Sequence, residues 1–356
     1  MQEPITIEQM KLSDRDRVLS FLAETYQDNP RQSDPEFWQW HFGSDPDNIP
    51  VWLAKSGDRI AGQMACIPVS LKVDDTVYDT VWILDLMVDP EFRRRGIMKN
   101  LVRRLYEKYP IMLGVSTDQQ HSPALLQSIG WKSLTHIPRY HKLLYPGNDL
   151  RDIQKYGWLV SAVNLVSMPL RPRYAVDHFG PQGHLRIVTD FNDDFELLWR
   201  QASEQWPCAI ERTVESLNWQ YKRQPGKAFE IIGYYRDDDL LGWAVLFFRS
   251  PGPNGRVSKG SITDICYHPD SSDVIIDELL DGCLQIALER GAGGLVTDVM
   301  DKTVEARLRQ KGFWRVKSSL QLLVRSEDPH SLALDPDSWF LTRGDSDISI
   351  FEAPNI

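Results

Sequence analysis

The chain is poor in cysteine: its 356 residues hold four, Cys66, Cys208, Cys266 and Cys283. No CxxC pair occurs and no Cys/His cluster has metal-ligand spacing. A zinc module or a disulfide framework is therefore not expected, and reduced thiols in a cytoplasmic protein without a metal are. Long apolar runs are missing too. The longest, Trp158 to Leu170, is 13 residues with Asn164 inside it, short of the roughly 20 that cross a bilayer. It reads as a helix packed between domains. The opening stretch MQEPITIEQMKLSDRDR has no signal-peptide hydrophobic region, so a soluble protein with no transmembrane segment is expected. Positive charge is in deficit, 40 Lys and Arg against 50 Asp and Glu, for a net −10. Nucleic acid is thus not an expected partner of the whole surface; a local basic pocket stays open, and a cationic small molecule suits the global field.

What is present suffices for two cores. The chain is 42% hydrophobic and 25% charged, and domains usually run to roughly 100–200 residues. Landmarks recur at nearly one spacing. WHFGSDP from Trp40 returns as WQYKRQP from Trp219 (219 − 40 = 179), and LDLMVDP ending at Pro90 returns as TDICYHP ending at Pro269 (269 − 90 = 179). Gly62 pairs with Gly242, and Ala124 with its Gly130-Trp131 pairs with Ala306 and Gly312-Phe313. This spacing predicts a duplicated domain: residues 1–145, a linker with a helix at 146–184, a second copy at 185–325, and a tail at 326–356.

Local patterns fit. A strand is predicted near Ile5–Ile7, then a helix over Asp14–Glu24 with Ser13 as N-cap, and a second helix opened by Asp34-Pro35. A hairpin is expected around Ser56-Gly57-Asp58. Val81–Val88 (VWILDLMV) is nearly all apolar, as in a central strand buried on both faces. Ile97, Met98, Leu101, Val102 and Leu105 have helical spacing. A strand over Ile111–Ser116, a short helix from Ser122-Pro123 and a strand after Trp131 complete the copy.

The informative segment is LMVDPEFRRRGIM, Leu86 to Met98, between the buried strand and the helix. The first N–H groups of a helix are unpaired and favour an anion. Gly96 permits close backbone approach, and Arg93, Arg94 and Arg95 add positive charge. This segment resembles the core motif of the GNAT superfamily of acyl-CoA-dependent N-acyltransferases: a strand, Val-x-Pro, then Arg/Gln-x-x-Gly-x-Gly/Ala at a helix start. Val88 and Pro90 match the first part. Arg93, Gly96 and Met98 take the Arg, first Gly and second Gly/Ala positions, with Met98 a departure. The element order over residues 3–145 fits as well. In the second copy the counterpart reads DSSDVIID, with Ser272 at the Arg position, Ile275 at the Gly position, and acidic Asp273.

The resemblance implies an α/β (α+β mixed-sheet) fold of two tandem GNAT-like domains, each a mixed, mostly antiparallel sheet flanked by helices, the second degenerate. It implies acetyl-CoA as co-substrate, held by Leu86, Met87, Val88, Arg93, Arg94, Arg95, Gly96, Ile97 and Met98. The implied activity is N-acetyl transfer to a primary amine of a small molecule, an amino sugar among them, and a homodimer is compatible with it. Family members often carry Glu or His at the positions of Trp82 and Leu84, and Tyr at Leu126; all three are apolar here. Asp118 and His121, after the fifth strand, are the candidate bases acting through water. Asp85 and its counterpart Asp264 read as structural. The cluster Phe37, Trp38, Trp40, His41 and Phe42 reads as packing. Asp345 and Asp347 of the tail are candidate groups for a cationic acceptor in the first copy. Rival readings are a non-catalytic acyl-CoA-binding or regulatory protein and an aminoacyl transferase using a charged RNA, which the net charge and the Arg-Gly loop disfavour.

Overall fold

A computed structural model describes residues 4–25, 33–117, 122–149, 157–167, 183–250 and 257–346. Sixteen strands among them join into one mixed sheet. The first seven are β1 (Ile5–Gln9), β2 (Val51–Ser56), β3 (Arg59–Val73), β4 (Thr76–Val88), β5 (Ile111–Thr117), β6 (Lys132–His136) and β7 (Arg139–Leu143). The rest are β8 (His184–Val188), β9 (Cys208–Ile210), β10 (Phe229–Arg236), β11 (Asp239–Phe248), β12 (Gly260–Tyr267), β13 (Gly294–Met300), β14 (Trp314–Val316), β15 (Leu320–Ser326) and β16 (Trp339–Thr342).

Helices α1 (Arg15–Thr25) and α2 (Pro35–Phe42) lie on one face of the first half, and α3 (Ile97–Arg103) and α4 (Ser122–Gln127) follow β4 and β5. The expected cap of α2 is present: the Asp34 side chain accepts from Phe37 N at 2.8 Å, with Pro35 at the first turn. Ser13 does not cap α1. It sits inside a 3-10 turn, Leu12–Asp14, whose Asp14 side chain accepts from Lys11 N instead. The hairpin turn is where the sequence places it, with Gly57 at φ +57.

Two openings set the architecture. Parallel β4 and β5 pair only at Trp82–Leu113 and Ile83–Gly114, and parallel β12 and β13 only at Gly260–Leu295 and Ser261–Val296. Beyond these points each pair splays. The strand before each opening bulges: β4 has Asp85 at φ +48 where its register with β3 slips, and β12 slips against β11 between Val245 and Leu246.

The chain crosses between the two halves of the sheet. β15, late in the sequence, lies between β5 and β6, while β7 lies between β13 and β14. A cut after residue 145 would thus leave β7 in the second half of the sheet. The halves also touch symmetrically. Trp40 and Trp219 stack at 4.6 Å, and each indole N–H donates to the other's carbonyl, at 3.0 and 3.3 Å. The predicted aromatic cluster of α2 is accordingly packing, much of it at this junction.

The linker helix, Gly157–Ser167, docks through Val160 and through Asn164, whose side chain accepts from Gly147 N at 2.9 Å. Trp158 and Leu165 are 71% and 70% exposed. No helix among the described residues is long and apolar enough to cross a membrane.

Candidate acyl-CoA site

The site is built where β4 leaves β5. Trp82 and Leu84 are buried in the core, and Asp85, Leu86, Met87 and Val88 are half-buried along the splay. Among the described residues β5 pairs with β4 only as far as Ile83, so the backbone edge of Leu86 to Val88 facing the splay has no described ladder partner and can meet an extended ligand. After Val88 the chain makes a capped 3-10 turn, Pro90–Phe92, with the Asp89 side chain accepting from Glu91 N at 2.9 Å. It then runs through exposed Arg93, Arg94 and Arg95 to Gly96, the N-cap of α3 at φ +75.

A Cβ on Gly96 would meet no atom within 4 Å. The glycine thus serves a left-handed backbone and an unfilled space rather than internal packing. Gly62 works differently: a Cβ there would lie 2.9 Å from Met87 O and 3.0 Å from Ile97 Cγ2, so its absence seats α3 on the sheet. Arg95 lies 4.9 Å over the Phe92 ring, and Arg59 pairs with Asp89 and Glu91 at 2.9 Å each. Arg93 and Arg94 have no ion-pair partner among the described residues. Open backbone edge, open space at Gly96 and two uncommitted guanidinium groups fit the phosphate and amide groups of an acyl-CoA.

The opposite face carries a residue that sequence reasoning missed. Gln63 on β3 is 1% exposed, and its Oε1 has no hydrogen-bond partner. Its cross-strand partners are Leu53 and Met87, which pack with Trp38 and Phe42 of α2. Gln63 therefore faces the α1–α2 side, across the sheet from α3. A buried amide carbonyl without a partner costs about 1–3 kcal/mol. The signal available in the sequence was a glutamine within the apolar run of β3.

Of the two candidate bases, Asp118 and His121 both lie outside the described residues, as does Asp347. Ser116 is buried and Thr117 half-buried at the end of β5. Leu126 is buried among the residues under α3. All four cysteines are buried and unpaired, and burial pushes the Cys266 thiol up to about 12, so the thiols stay protonated. Among the described residues no group of three or more His, Cys, Asp or Glu is placed to hold a metal.

The second opening is filled. β16 pairs with the end of β13, Met300 with Leu341 and Val299 with Thr342. The turn after it, Arg343–Asp345, packs against β12. Arg212 donates to Asp264 at 3.1 Å and to Asp345 at 2.8 Å, between the rings of Trp199 and Phe340. Asp264 also accepts from Tyr221 OH at 3.0 Å and Thr342 Oγ1 at 2.8 Å, the structural role expected of it. Asp345 is thus not available to a cationic acceptor in the first half: its cation is the chain's own Arg212, inside the second half.

The loop is missing there as well. Only four residues separate Tyr267 from the helix Ser272–Glu289, whose left-handed N-cap is Ser271 at φ +64. The counterpart of Gly96 is therefore Ser271, not Ile275. Ile275 is fully buried, its Cγ2 only 2.5 Å from where a Cβ on Gly242 would sit.

Residues 6–121 match the acetyltransferase (GNAT) domain family. Human N-acetyltransferase 8 is 33% identical over 88 residues, 23% of this chain and 37% of that protein. The chain thus spans little more than a third of that relative. Among solved structures, a conserved Enterococcus faecalis protein described as a probable N-acyltransferase aligns with TM-score 0.63 at 12% identity, covering 92% of this chain and 74% of that one. A GCN5-related N-acetyltransferase from Anabaena variabilis gives 0.63 at 11%, over 91% and 73%. Saccharomyces cerevisiae N-myristoyltransferase with bound myristoyl-CoA gives 0.59 at 11%, over 91% and 84%. At these identities the likeness is one of fold, and it extends over both halves.

Proposed function

We propose that this chain, whose residues 6–121 match the acetyltransferase (GNAT) domain family, transfers an acetyl group from acetyl-CoA to a primary amine of a small molecule, at a single site in its first half. The observation that carries the reading is the contrast between the two openings: β4–β5 is lined by an open strand edge and the Arg93–Met98 loop, while β12–β13 is filled by the tail. A duplicated ancestry, with the second copy turned to structural use, is supported by the recurring landmarks and by the exchange of β7 and β15.

Acyl-CoA supplies an activated thioester carbonyl. The chain's residues do the rest. Backbone groups of Leu86 to Val88 orient the extended arm, and Arg93, Arg94 and the Gly96 N-cap hold its phosphates. Gln63 Oε1, on the other face, accepts a hydrogen bond from the incoming amine and aims its lone pair. The amine bonds to the carbonyl carbon, the C–S bond breaks, and the amine proton leaves through water, with Asp118 or His121 as its acceptor. No acid stands at Trp82, Leu84 or Leu126, so the thiolate is protonated by solvent.

The test is thiol release from acetyl-CoA across a panel of amines, with myristoyl-CoA in parallel. Amine-dependent release with acetyl-CoA supports the reading. Release only with myristoyl-CoA overturns the acetyl donor, and tight acetyl-CoA binding without release for any amine identifies an acyl-CoA-binding protein.

A further inference from the structure

We infer that the exposed face of α3 and of the turns after it is a docking surface for an acidic carrier protein, one that presents its acyl group on a phosphopantetheine arm. The docking surface presupposes the acyl-CoA reading of the β4–β5 opening and adds a second donor to that same site. From Arg93 to Lys108 the chain holds seven Lys and Arg against one acid, Glu107, in a protein whose net charge is −10. Ile97, Leu101, Val102 and Leu105 are buried in the core under α3, which turns Lys99, Arg103, Arg104 and Lys108 outward. All seven cations are exposed except the half-buried Lys99. None of them has an ion-pair partner among the described residues.

The fold does not ask for this charge. Lys99 and Arg103 stand four residues apart, a spacing at which like charges destabilise a helix, and a cation in the first turn opposes the helix dipole. In the second half the helix in the same place, Ser272–Glu289, carries Asp273, Asp277, Glu278 and Asp281 instead. Three of these acids pair with Arg307 and Lys311. The positive ridge thus accompanies the Arg93–Met98 loop, not the helix as such.

The length and place of the ridge select the partner. The pyrophosphate and phosphate monoester of acyl-CoA carry roughly four negative charges between them, which Arg93, Arg94 and Arg95 nearly meet. Arg103, Arg104 and Lys108 lie roughly 10–18 Å farther along at helical rise. A carrier's arm ends in a phosphate on a protein surface, and an acidic surface there would lie along these outer cations. The ridge is on the α3 face, across the sheet from Gln63, so its partner belongs to the donor rather than the amine. A bilayer would take an apolar side chain to insert, and RNA an aromatic one to stack on. None of the exposed large apolar side chains among the described residues lies between Arg93 and Lys108. At physiological salt charges act over about 8 Å, so the acidic remainder of the chain is largely screened from a partner on the ridge. The reaction keeps its form: the amine nitrogen bonds to the thioester carbonyl carbon and the C–S bond breaks. The arm leaves as a thiol once the amine's proton reaches it through water.

The test uses the full chain and a purified acyl carrier protein in acetyl-loaded and arm-free forms, with calorimetry as the readout and acetyl-CoA titrated in parallel. The acetyl-loaded carrier should bind more tightly than the arm-free form, and lose at least about tenfold in affinity between about 0.1 M and about 1 M salt. Arg103→Glu with Arg104→Glu should bind it at least about tenfold more weakly and keep its acetyl-CoA affinity within about threefold. If that double variant misfolds, Lys108→Glu alone, at an exposed position, should still weaken carrier binding. Absence of carrier binding beside normal acetyl-CoA binding would overturn the docking surface and leave the acetyl-CoA site standing. Equal affinity for the arm-free carrier, or carrier binding unchanged by the charge reversals, would do the same. Phosphatidylglycerol vesicles or transfer RNA bound more tightly than the carrier, and lost in the same double variant, would overturn the choice of partner. Failure of acetyl-CoA itself to bind would instead remove the premise, a donor site between β4 and β5.

Discussion

Gly96 and Gln63 stand on opposite faces of the sheet, each in a state that packing alone does not explain. Gly96 holds φ +75 beside open space. Gly96→Glu adds a left-handed strain of about 1–2 kcal/mol and sets a carboxylate where phosphate oxygens would lie. Acetyl-CoA affinity should fall about 100-fold or more, since each lost charged hydrogen bond is worth roughly 1.5–3 kcal/mol. The matched control cannot be Ile275, which is fully buried; Asp273→Arg, exposed on the second half's helix, should change affinity less than about threefold. Calorimetry on folded variants decides, and equal losses would place cofactor in both halves. Gln63→Met tests the other face. Removing an unpartnered buried carbonyl should hold or raise the melting temperature, while the KM for amine rises several-fold at unchanged acetyl-CoA affinity. A fall in melting temperature with unchanged KM would make Gln63 a structural residue.

Among the elements, β16 was hidden from the sequence, and the reason is physical. WFLT is four residues long, and the strands that make it one, β13 on one side and β9 on the other, are far from it in sequence. Asp345 read as a free acid because its partner, Arg212, lies 133 positions earlier. By contrast β4, the turn after it and α3 were legible, because their apolar periodicity, Pro90 and Gly96 are local. The exact reach of β3 and β4 was not: their hairpin continues to Val73 and Thr76, where alternation gives way to Asp74-Asp75. The tail's acid makes a testable mark. Burial raises Asp345 to about 6, against the pull of Arg212. Its folded pKa exceeds its unfolded value, so between about pH 4 and 6 the folded state holds more protons. This group therefore adds stability as pH falls through 6, and withdraws it as pH rises. Asp345→Asn should flatten that slope: the difference in melting temperature between wild type and variant should vary between pH 7 and 5, in the sense that wild type gains on acidification. A constant difference would mean that Asp345 titrates normally.

At the scale of the molecule, the exchanged strands make the two halves one folding unit. The landmarks spaced by 179 residues predict a duplicated domain, yet a linear repeat carries no information on which copy's last strand completes which sheet. β15 supplies Leu322 and Val324 to the core under α1 and α2, and Leu323 to the core under α3. A fragment of residues 1–145 lacks all three and leaves β5 and β6 without the strand between them, so it should be insoluble or unfolded. A chain ending at Glu327 keeps β15 but loses Trp339, Phe340 and Leu341, all buried. At about 1.5–3 kcal/mol for each large apolar side chain, that loss approaches the whole stability of an ordinary domain, about 5–15 kcal/mol. It also strands Arg212 with one carboxylate fewer. Such a chain should therefore melt far below the full-length protein, losing acetyl-CoA binding as it does so, although the loop that binds it is distant in sequence. Scanning calorimetry of the full chain should show one transition whose van't Hoff and calorimetric enthalpies agree. Two resolved transitions, or a Glu327-terminated chain with native melting and affinity, would show that the halves fold independently and that the tail is an ornament on the second.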